Sequence, residues 1–362
     1  MENMRPVSHG DLIVCACQGR EYTARDAMEA ALFRDGLATT WPAFLGQVAA
    51  SDRADELDLQ LDEDALGTVA ETFRYQHDLI TAEETEQWLS ARRLTLDEFG
   101  DYFVRGVWGE KQIEGVRPEK VDYVSARTEL RETFIADLIL SGKLEAMTTQ
   151  LGWRLAAVCS AKDVDLDLVT AAKQNFLERN EMNPARLRDW LQQLCRDEEW
   201  LDQQAMMEAA YQSRCATLLV GQAQQRELAS LRLPLTQFET EVIELESRDA
   251  AQEALFCVRE DGMSMQEVAN EGRYPYRRLD FVLEDLGDEM QQRFFSVSNG
   301  QVLEPLPRGD GFELCRVIRK IEPQASDPIT RSRIEQRLLN RHFSELASKY
   351  VDMRLQVAGV AE

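Results

Sequence analysis

Few side chains in this sequence have the types and spacing that metal binding or proton transfer requires. The three histidines are His9, His77 and His342, which lie far apart and show no spacing typical of metal ligands. His77 follows a helical stretch, where interaction with the helix end is the ordinary role of such a residue. We therefore predict no metal site and no cofactor.

Seven cysteines are scattered along the chain, most of them inside apolar runs: Cys15, Cys17, Cys159, Cys195, Cys215, Cys257 and Cys315. Such thiols are more typical of a reduced protein than of a disulfide framework. Cys15 and Cys17 lie two residues apart in a predicted strand, so their side chains share one face. A lone C-x-C lacks the partners of a redox or metal site, and we predict a buried pair.

The charge of the chain narrows the choice of partners. With 41 basic and 65 acidic residues, the formal net charge is −24. Because Lys and Arg supply the affinity for nucleic acids and anionic membranes, we expect neither as a partner. The sequence contains no glycine-rich phosphate loop and no nucleophile elbow. Basic or neutral peptides are better partners for an acidic protein. The competing explanation of the acidity is that it only keeps the protein soluble.

The acidic run at residues 52–64 is interpreted as a solvated connection, with capture of a basic leader peptide as the alternative. The sequence has no apolar run of the ~18–20 residues that span a bilayer. Residues 1–10 include Glu2, Arg5 and His9 and lack the apolar core of a signal peptide. We therefore expect a cytoplasmic protein.

The elements that must position any site are mostly helical in the first two thirds of the chain. Residues 1–26 are predicted to form a strand at 12–18, a turn at Gly19 and the start of a helix, opened by the cap pattern of Thr23 and Asp26. Two more capping boxes begin at Thr81 and Thr95. Helical spacing then continues to about residue 228.

Two helical modules, at residues 27–114 and 121–228, show an internal similarity. Phe73 to Leu89 and Phe176 to Leu191 each begin with an aromatic residue, pass a polar cap and end in Trp-Leu. Chance likeness between amphipathic helices is the competing explanation. We favour duplication, with a Pro-containing linker between the modules.

The segment at residues 235–321 has the spacing of a compact mixed domain. Its motifs begin with a strand from Phe238, a helix from Asp249 and a short helix from Met263, and they continue with residues 290–302 and the closing run Gly311-Phe312-Glu313-Leu314-Cys315-Arg316-Val317. In order and spacing these motifs resemble a parvulin (PpiC-type) peptidyl-prolyl cis-trans isomerase domain. The resemblance implies a β-α-α-β-β unit.

The same resemblance implies positions for a functional site. The two family histidines fall on Val242 and Glu313, so neither imidazole is present. The family's acidic or hydroxyl residue before the final glycine falls on Asp310, which leaves Asp310 and Glu313 as the implied catalytic residues. The implied peptide-binding residues, which include the apolar floor, are Val242, Leu279, Leu286, Met290 and Phe312.

An N-terminal strand with helices, together with a helix and strand returning at residues 327–357, is similar to the survival-protein-A-like (SurA-like) chaperone family. We therefore expect an α+β, mainly α-helical fold: helical chaperone-like modules, a C-terminal parvulin-like domain and a returning C-terminal helix. The expected function is a chaperone or escort for a peptide or unfolded protein, with weak or no isomerase activity, as an accessory to ribosomal peptide maturation.

Two alternatives stay open. The first is an active prolyl isomerase, since twisting or desolvating an amide needs no covalent chemistry. The second is a non-catalytic subunit of a complex, with a peptide-modifying enzyme as partner.

Overall fold

The structure, a computed structural model, describes residues 8–355, apart from the side chain of residue 63. Residues 1–7 of the predicted first segment and residues 356–357 of the predicted last strand lie outside this range. The chain forms two compact units: unit 1 contains residues 8–216 and 341–355, and unit 2 contains residues 217–340. The predicted division into five segments stays a prediction. Across residues 8–355, no helix has both the length and the apolar character needed to cross a membrane.

Most of the described residues with regular structure are helical. The α-helices of residues 8–355 are, in chain order, α1 (Ala24–Phe33), α2 (Thr40–Glu56), α3 (Glu63–Gln76), α4 (Ala82–Ala91), α5 (Leu96–Glu110), α6 (Thr128–Leu140), α7 (Lys143–Ser160), α8 (Leu166–Arg179), α9 (Pro184–Gln193), α10 (Glu198–Leu218), α11 (Gly221–Ser230), α12 (Arg248–Arg259), α13 (Met265–Gly272), α14 (Asp288–Phe295) and α15 (Pro328–Tyr350). The strands are β1 (Ile13–Cys17), β2 (Arg20–Thr23), β3 (Gln237–Leu245), β4 (Tyr276–Val282), β5 (Leu306–Arg308), β6 (Gly311–Ile321) and β7 (Val351–Met353). They form two antiparallel sheets, in the orders β2-β1-β7 and β4-β3-β6-β5. The predicted α+β, mainly helical fold class is confirmed.

The start of unit 1 follows the sequence closely. β1 forms within the predicted strand, and Gly19 turns the chain with a φ of +79°. Thr23 and Asp26 form the predicted capping box at the start of α1. The sequence reading missed β2, which pairs with β1 immediately after the turn. β7 pairs with the other edge of β1, so the C-terminal strand completes the N-terminal sheet.

The two predicted modules have matching local geometry. Phe73 and Trp88 pack edge to face with ring centroids 5.6 Å apart, and Phe176 and Trp190 do so at 5.4 Å. The predicted capping boxes at Thr81 and Thr95 are present. In both modules the chain reverses between the paired helices through a residue with positive φ, which is Asp78 in the first and Glu181 in the second. Common origin by duplication stays a prediction, and this geometry favours it.

Unit 2 is built around the four-stranded sheet. One face packs on α12 and α13 through side chains such as Ile243 and Leu314, and the other packs on α14 through Phe238 and Val317. The sequence reading missed β4, which pairs with β3 along its whole length. The first part of α15 lies against this unit, where Ile334 packs with Leu235 and Val282.

Candidate functional site

We name the sheet face that packs on α14, together with the apolar side chains of α14 and of the loops beside it, the α14 face. Its floor consists of buried apolar side chains: Phe238, Val242, Leu283, Phe294, Val297, Cys315 and Val317. Around them lie half-buried apolar side chains, which are Leu233, Leu279, Phe281, Leu286, Met290 and Leu303. The α14 face is therefore an apolar surface that is partly open to solvent.

The structure brings four of the five predicted peptide-binding residues together on the α14 face. Leu279, Leu286 and Met290 are half-buried and remain accessible to a ligand. Val242 is only 3% exposed, so it supports the surface from beneath. Phe312 does not join them, because it packs against the cluster on the opposite face of the sheet.

Phe312 and the predicted catalytic residue Asp310 line a different opening, which we name the hairpin cleft. Asp310 lies in the two-residue turn between β5 and β6, next to Gly309 with its φ of +56°. The cleft has a volume of about 470 Å³ and is lined by Glu244, Leu245, Glu246, Pro275, Arg308, Asp310, Gly311 and Phe312.

Glu313, the second predicted catalytic residue, lies on the α14 face in an ion-pair network. Arg277 Nη2 donates to Glu313 Oε1 at 2.6 Å, and Arg308 Nη1 donates to the same oxygen. Arg277 also lies 2.9 Å from the Glu244 carboxylate. Because two guanidinium groups hold this carboxylate, its ordinary role is to join β4, β5 and β6.

Cys315 is the residue of the α14 face that the sequence reading missed. It lies directly opposite Val242 in the β3–β6 register. Burial, together with the negative charge of Glu313, raises the pKa of the Cys315 thiol to about 12. The thiol is therefore neutral at physiological pH and is a poor nucleophile. Alternation along β6 places Cys315 on the face of Glu313, and this was the signal available in the sequence.

Gly311 brings the start of β6 against β3. A Cβ atom at this position would lie 2.6 Å from the carbonyl oxygen of Leu245. Only glycine allows this approach without a shift of the backbone. The glycine that opens the closing motif therefore has a structural reason, which is the fit of the β5–β6 hairpin beside β3.

The chemistry available on the α14 face is binding by apolar contact. The histidines of the chain lie at positions 9, 77 and 342, so residues 217–340 contain no imidazole. Over residues 8–355, no group of three or more His, Cys, Asp or Glu side chains is arranged to hold a metal ion. An apolar surface bordered by ion pairs suits an extended peptide with apolar side chains.

No protein-family model matches this sequence, and no curated protein sequence matches it significantly. Solved structures with some likeness include the peptidylprolyl isomerase PrsA from Bacillus cereus, with a TM-score of 0.36 and 11% identity over 60% of this chain and 85% of that one. The foldase protein PrsA from Streptococcus pneumoniae gives a TM-score of 0.27 and 11% identity, over 93% and 89%. A SurA-like chaperone of Campylobacter jejuni gives 0.19 and 8%, over 60% and 88%. At these scores and identities, the likenesses do not define the site of this chain.

Proposed function

We propose that this protein is a chaperone or escort that binds peptides or unfolded polypeptides on the α14 face and has weak or no prolyl isomerase activity. The observation that carries the proposal is the state of the two positions where the parvulin resemblance implies histidine. Val242 is a buried apolar side chain opposite a neutral thiol, and Glu313 is held by two arginines. Val242 has no polar group to offer a substrate, and the Glu313 carboxylate is already engaged by two guanidinium groups.

The apolar surface itself supports binding. Leu279, Leu286 and Met290 are half-buried in one cluster, so a ligand would remove their remaining apolar area from water. Burying such side chains contributes roughly 25 cal/mol per Å² of apolar surface. The Arg277 and Arg308 guanidinium groups beside this surface remain partly exposed. They can donate hydrogen bonds to the carbonyl groups of a bound peptide.

The test compares two methionine variants. Met290→Gln places a polar group on the α14 face, and Met263→Gln places one on the opposite face, where Met263 is also half-buried. We expect Met290→Gln to weaken binding of a fluorescent unfolded client by about 5-fold, from the loss of part of a methionine contact. Met263→Gln should leave the affinity unchanged. Equal affinities for both variants and the wild type would place binding elsewhere.

Isomerase activity is measured on the same proteins by NMR exchange spectroscopy on a panel of Xaa-Pro peptides. We expect an exchange rate at, or only slightly above, the uncatalysed rate. A clear rate in the wild type that Met290→Gln lowers would replace the proposal with the alternative of an active isomerase.

The finer parts of the proposal are a cytoplasmic location and a role beside a peptide-modifying enzyme in ribosomal peptide maturation. The net charge of −24 supports a basic peptide as the client. Co-purification from the native host tests the partner, and cell fractionation tests the location. A stable lone monomer with saturable peptide binding would speak against an obligate subunit role, and recovery outside the cytoplasmic fraction would contradict the location.

A further inference from the structure

Two thiols of unit 1 lie in contact although they are 142 residues apart in sequence. Cys17 ends β1, and Cys159 lies in the last turn of α7. Their Sγ atoms are 3.2 Å apart, and both cysteines are free. Cys17 is buried and Cys159 is half-buried.

We propose that Cys17 and Cys159 are a disulfide-forming pair, which a thiol oxidant such as glutathione disulfide joins within the native fold. A disulfide requires a sulfur–sulfur distance of about 2.05 Å, so the two sulfur atoms need to approach by only about 1 Å.

Cys15 is the competing partner, because it lies on the same face of β1 and is fully buried. Within residues 8–355, however, its sulfur makes no sulfur contact of the kind that joins Cys17 to Cys159. The geometry therefore selects Cys17, although the sequence presents both cysteines alike.

The exposure of the two thiols sets the order of the reaction. Burial, and next the hydrogen bond with Cys159, raise the pKa of the Cys17 thiol to about 12, so Cys17 stays protonated at neutral pH. The half-buried Cys159 is the sulfur that the oxidant reaches. The Cys159 thiolate attacks one sulfur of glutathione disulfide, the S–S bond breaks, and one glutathione leaves as thiolate.

In the second step, Cys17 attacks the Cys159 sulfur of this mixed disulfide. The proton of Cys17 passes to the departing second glutathione. Two protein thiols are oxidised to one disulfide, and one glutathione disulfide is reduced to two glutathione molecules. Because burial keeps the Cys17 thiol protonated, this second step is the slower of the two. Formation of the mixed disulfide removes the Cys159 thiol, which helps to raise the pKa of Cys17, and the two sulfur atoms already lie in contact.

The bond would fix the centre of the N-terminal sheet to α7. β1 is the middle strand, and Cys17 is paired with Val351 of β7. β7 also packs on α7, because the Met353 sulfur lies 3.2 Å from the position that a Cβ atom on Gly152 would occupy. A cross-link that closes so long a loop restricts the unfolded chain strongly, and it should stabilise unit 1.

The experiment uses the full-length protein, purified reduced and then incubated with glutathione disulfide. We expect a linked Cys17–Cys159 peptide in a non-reduced digest and the loss of these two thiols, with any glutathione on the exposed Cys195 counted separately. The Tm of unit 1 should rise by roughly 5–10 °C. Cys17→Ser and Cys159→Ser should abolish the linkage and the Tm shift, whereas Cys257→Ser, at a half-buried thiol in unit 2, should keep both.

Three results would overturn the proposal: no loss of thiols, a linkage between other cysteines, or glutathione that stays attached to Cys159. If either serine variant fails to fold, the linked peptide of the wild type decides alone, since it needs no variant.

Discussion

The Glu313 carboxylate allows the sharpest test of whether unit 2 binds or catalyses. Glu313→Gln keeps the shape of the side chain and removes its charge, which leaves Arg277 and Arg308 without their shared partner. Breaking a fully buried ion pair costs about 3–5 kcal/mol. Here the side chains of Arg277 and Arg308 are 37% and 59% exposed, and Glu244 remains beside Arg277. We therefore expect a loss of about 1–2 kcal/mol in the free energy of unfolding.

The matched control is Glu241→Gln. The Glu241 side chain is 12% exposed against 11% for Glu313, and it lies on the opposite face of the sheet. The Glu241 carboxylate accepts a hydrogen bond of 2.8 Å from the Tyr276 hydroxyl and forms an ion pair with Arg278. The two variants thus remove one charge of similar burial from each face of one sheet.

The assay has to report on unit 2 alone. All six tryptophans lie between residues 41 and 200, so their fluorescence reports on unit 1. Hydrogen exchange of peptides from β3 and β6, read by mass spectrometry, measures the local free energy in unit 2. NMR exchange on Xaa-Pro peptides then measures isomerisation for the wild type and both variants.

A structural role for Glu313 predicts that both variants lose similar protection in β3 and β6 and that neither substitution changes the isomerisation rate, which stays at or only slightly above the uncatalysed rate. The reasoning is refuted if the wild type shows a clear rate that Glu313→Gln alone abolishes while the protection of β3 and β6 is unchanged. The carboxylate would then act on the substrate, and the alternative of an active isomerase would stand.

Two further predictions concern stability. Burial raises the pKa of Glu29 to about 7, against the lowering effect of Arg196, whereas the unfolded chain titrates near 4.5. Between these two pKa values the folded state holds a proton that the unfolded state has lost. The free energy of unfolding of the wild type, measured relative to that of Glu29→Gln, should therefore be highest below pH 4.5 and fall by about 3 kcal/mol as the pH rises to 7. Urea titrations followed by tryptophan fluorescence measure this difference, and parallel pH profiles would contradict it. Gly311→Ala should lower the stability of unit 2 by about 1–3 kcal/mol, because its Cβ atom would meet the Leu245 carbonyl oxygen. Gly221→Ala is the control, since a Cβ atom there would have no neighbour within 4 Å, and it should leave the stability unchanged. Hydrogen exchange in β6 distinguishes the two variants.

The parts of this fold that were predictable from sequence depend on local chemistry. The capping boxes at Thr23, Thr81 and Thr95 need only residues three positions apart, and all three formed. β3 and β6 have enough apolar character to be recognised as strands without knowledge of their neighbours.

The missed strands depend on partners distant in sequence. β4 contains Arg277 and Arg278, whose charges disfavour a half-buried strand until the glutamates of β3 and β6 are present. β2 has four residues and becomes a strand because β1 lies directly before it. The contact between Cys17 and Cys159 likewise depends on how α7 packs on the first sheet.

The division of the predicted site between two faces follows from strand alternation alone. Phe312 and Glu313 are adjacent in β6, so their side chains must point to opposite faces. The resemblance to an isomerase implies both residues in one site, whereas Phe312 packs in the cluster of Ile243 and Leu314 and Glu313 pairs with Arg277 and Arg308. Once Phe312 is assigned to the hairpin cleft, Glu313 shares its face with Val242 and Cys315, neither of which can relay a proton at neutral pH. The apolar rim of the α14 face is then the part of the site that remains available for a ligand, and this is why binding is the function that the residues support best.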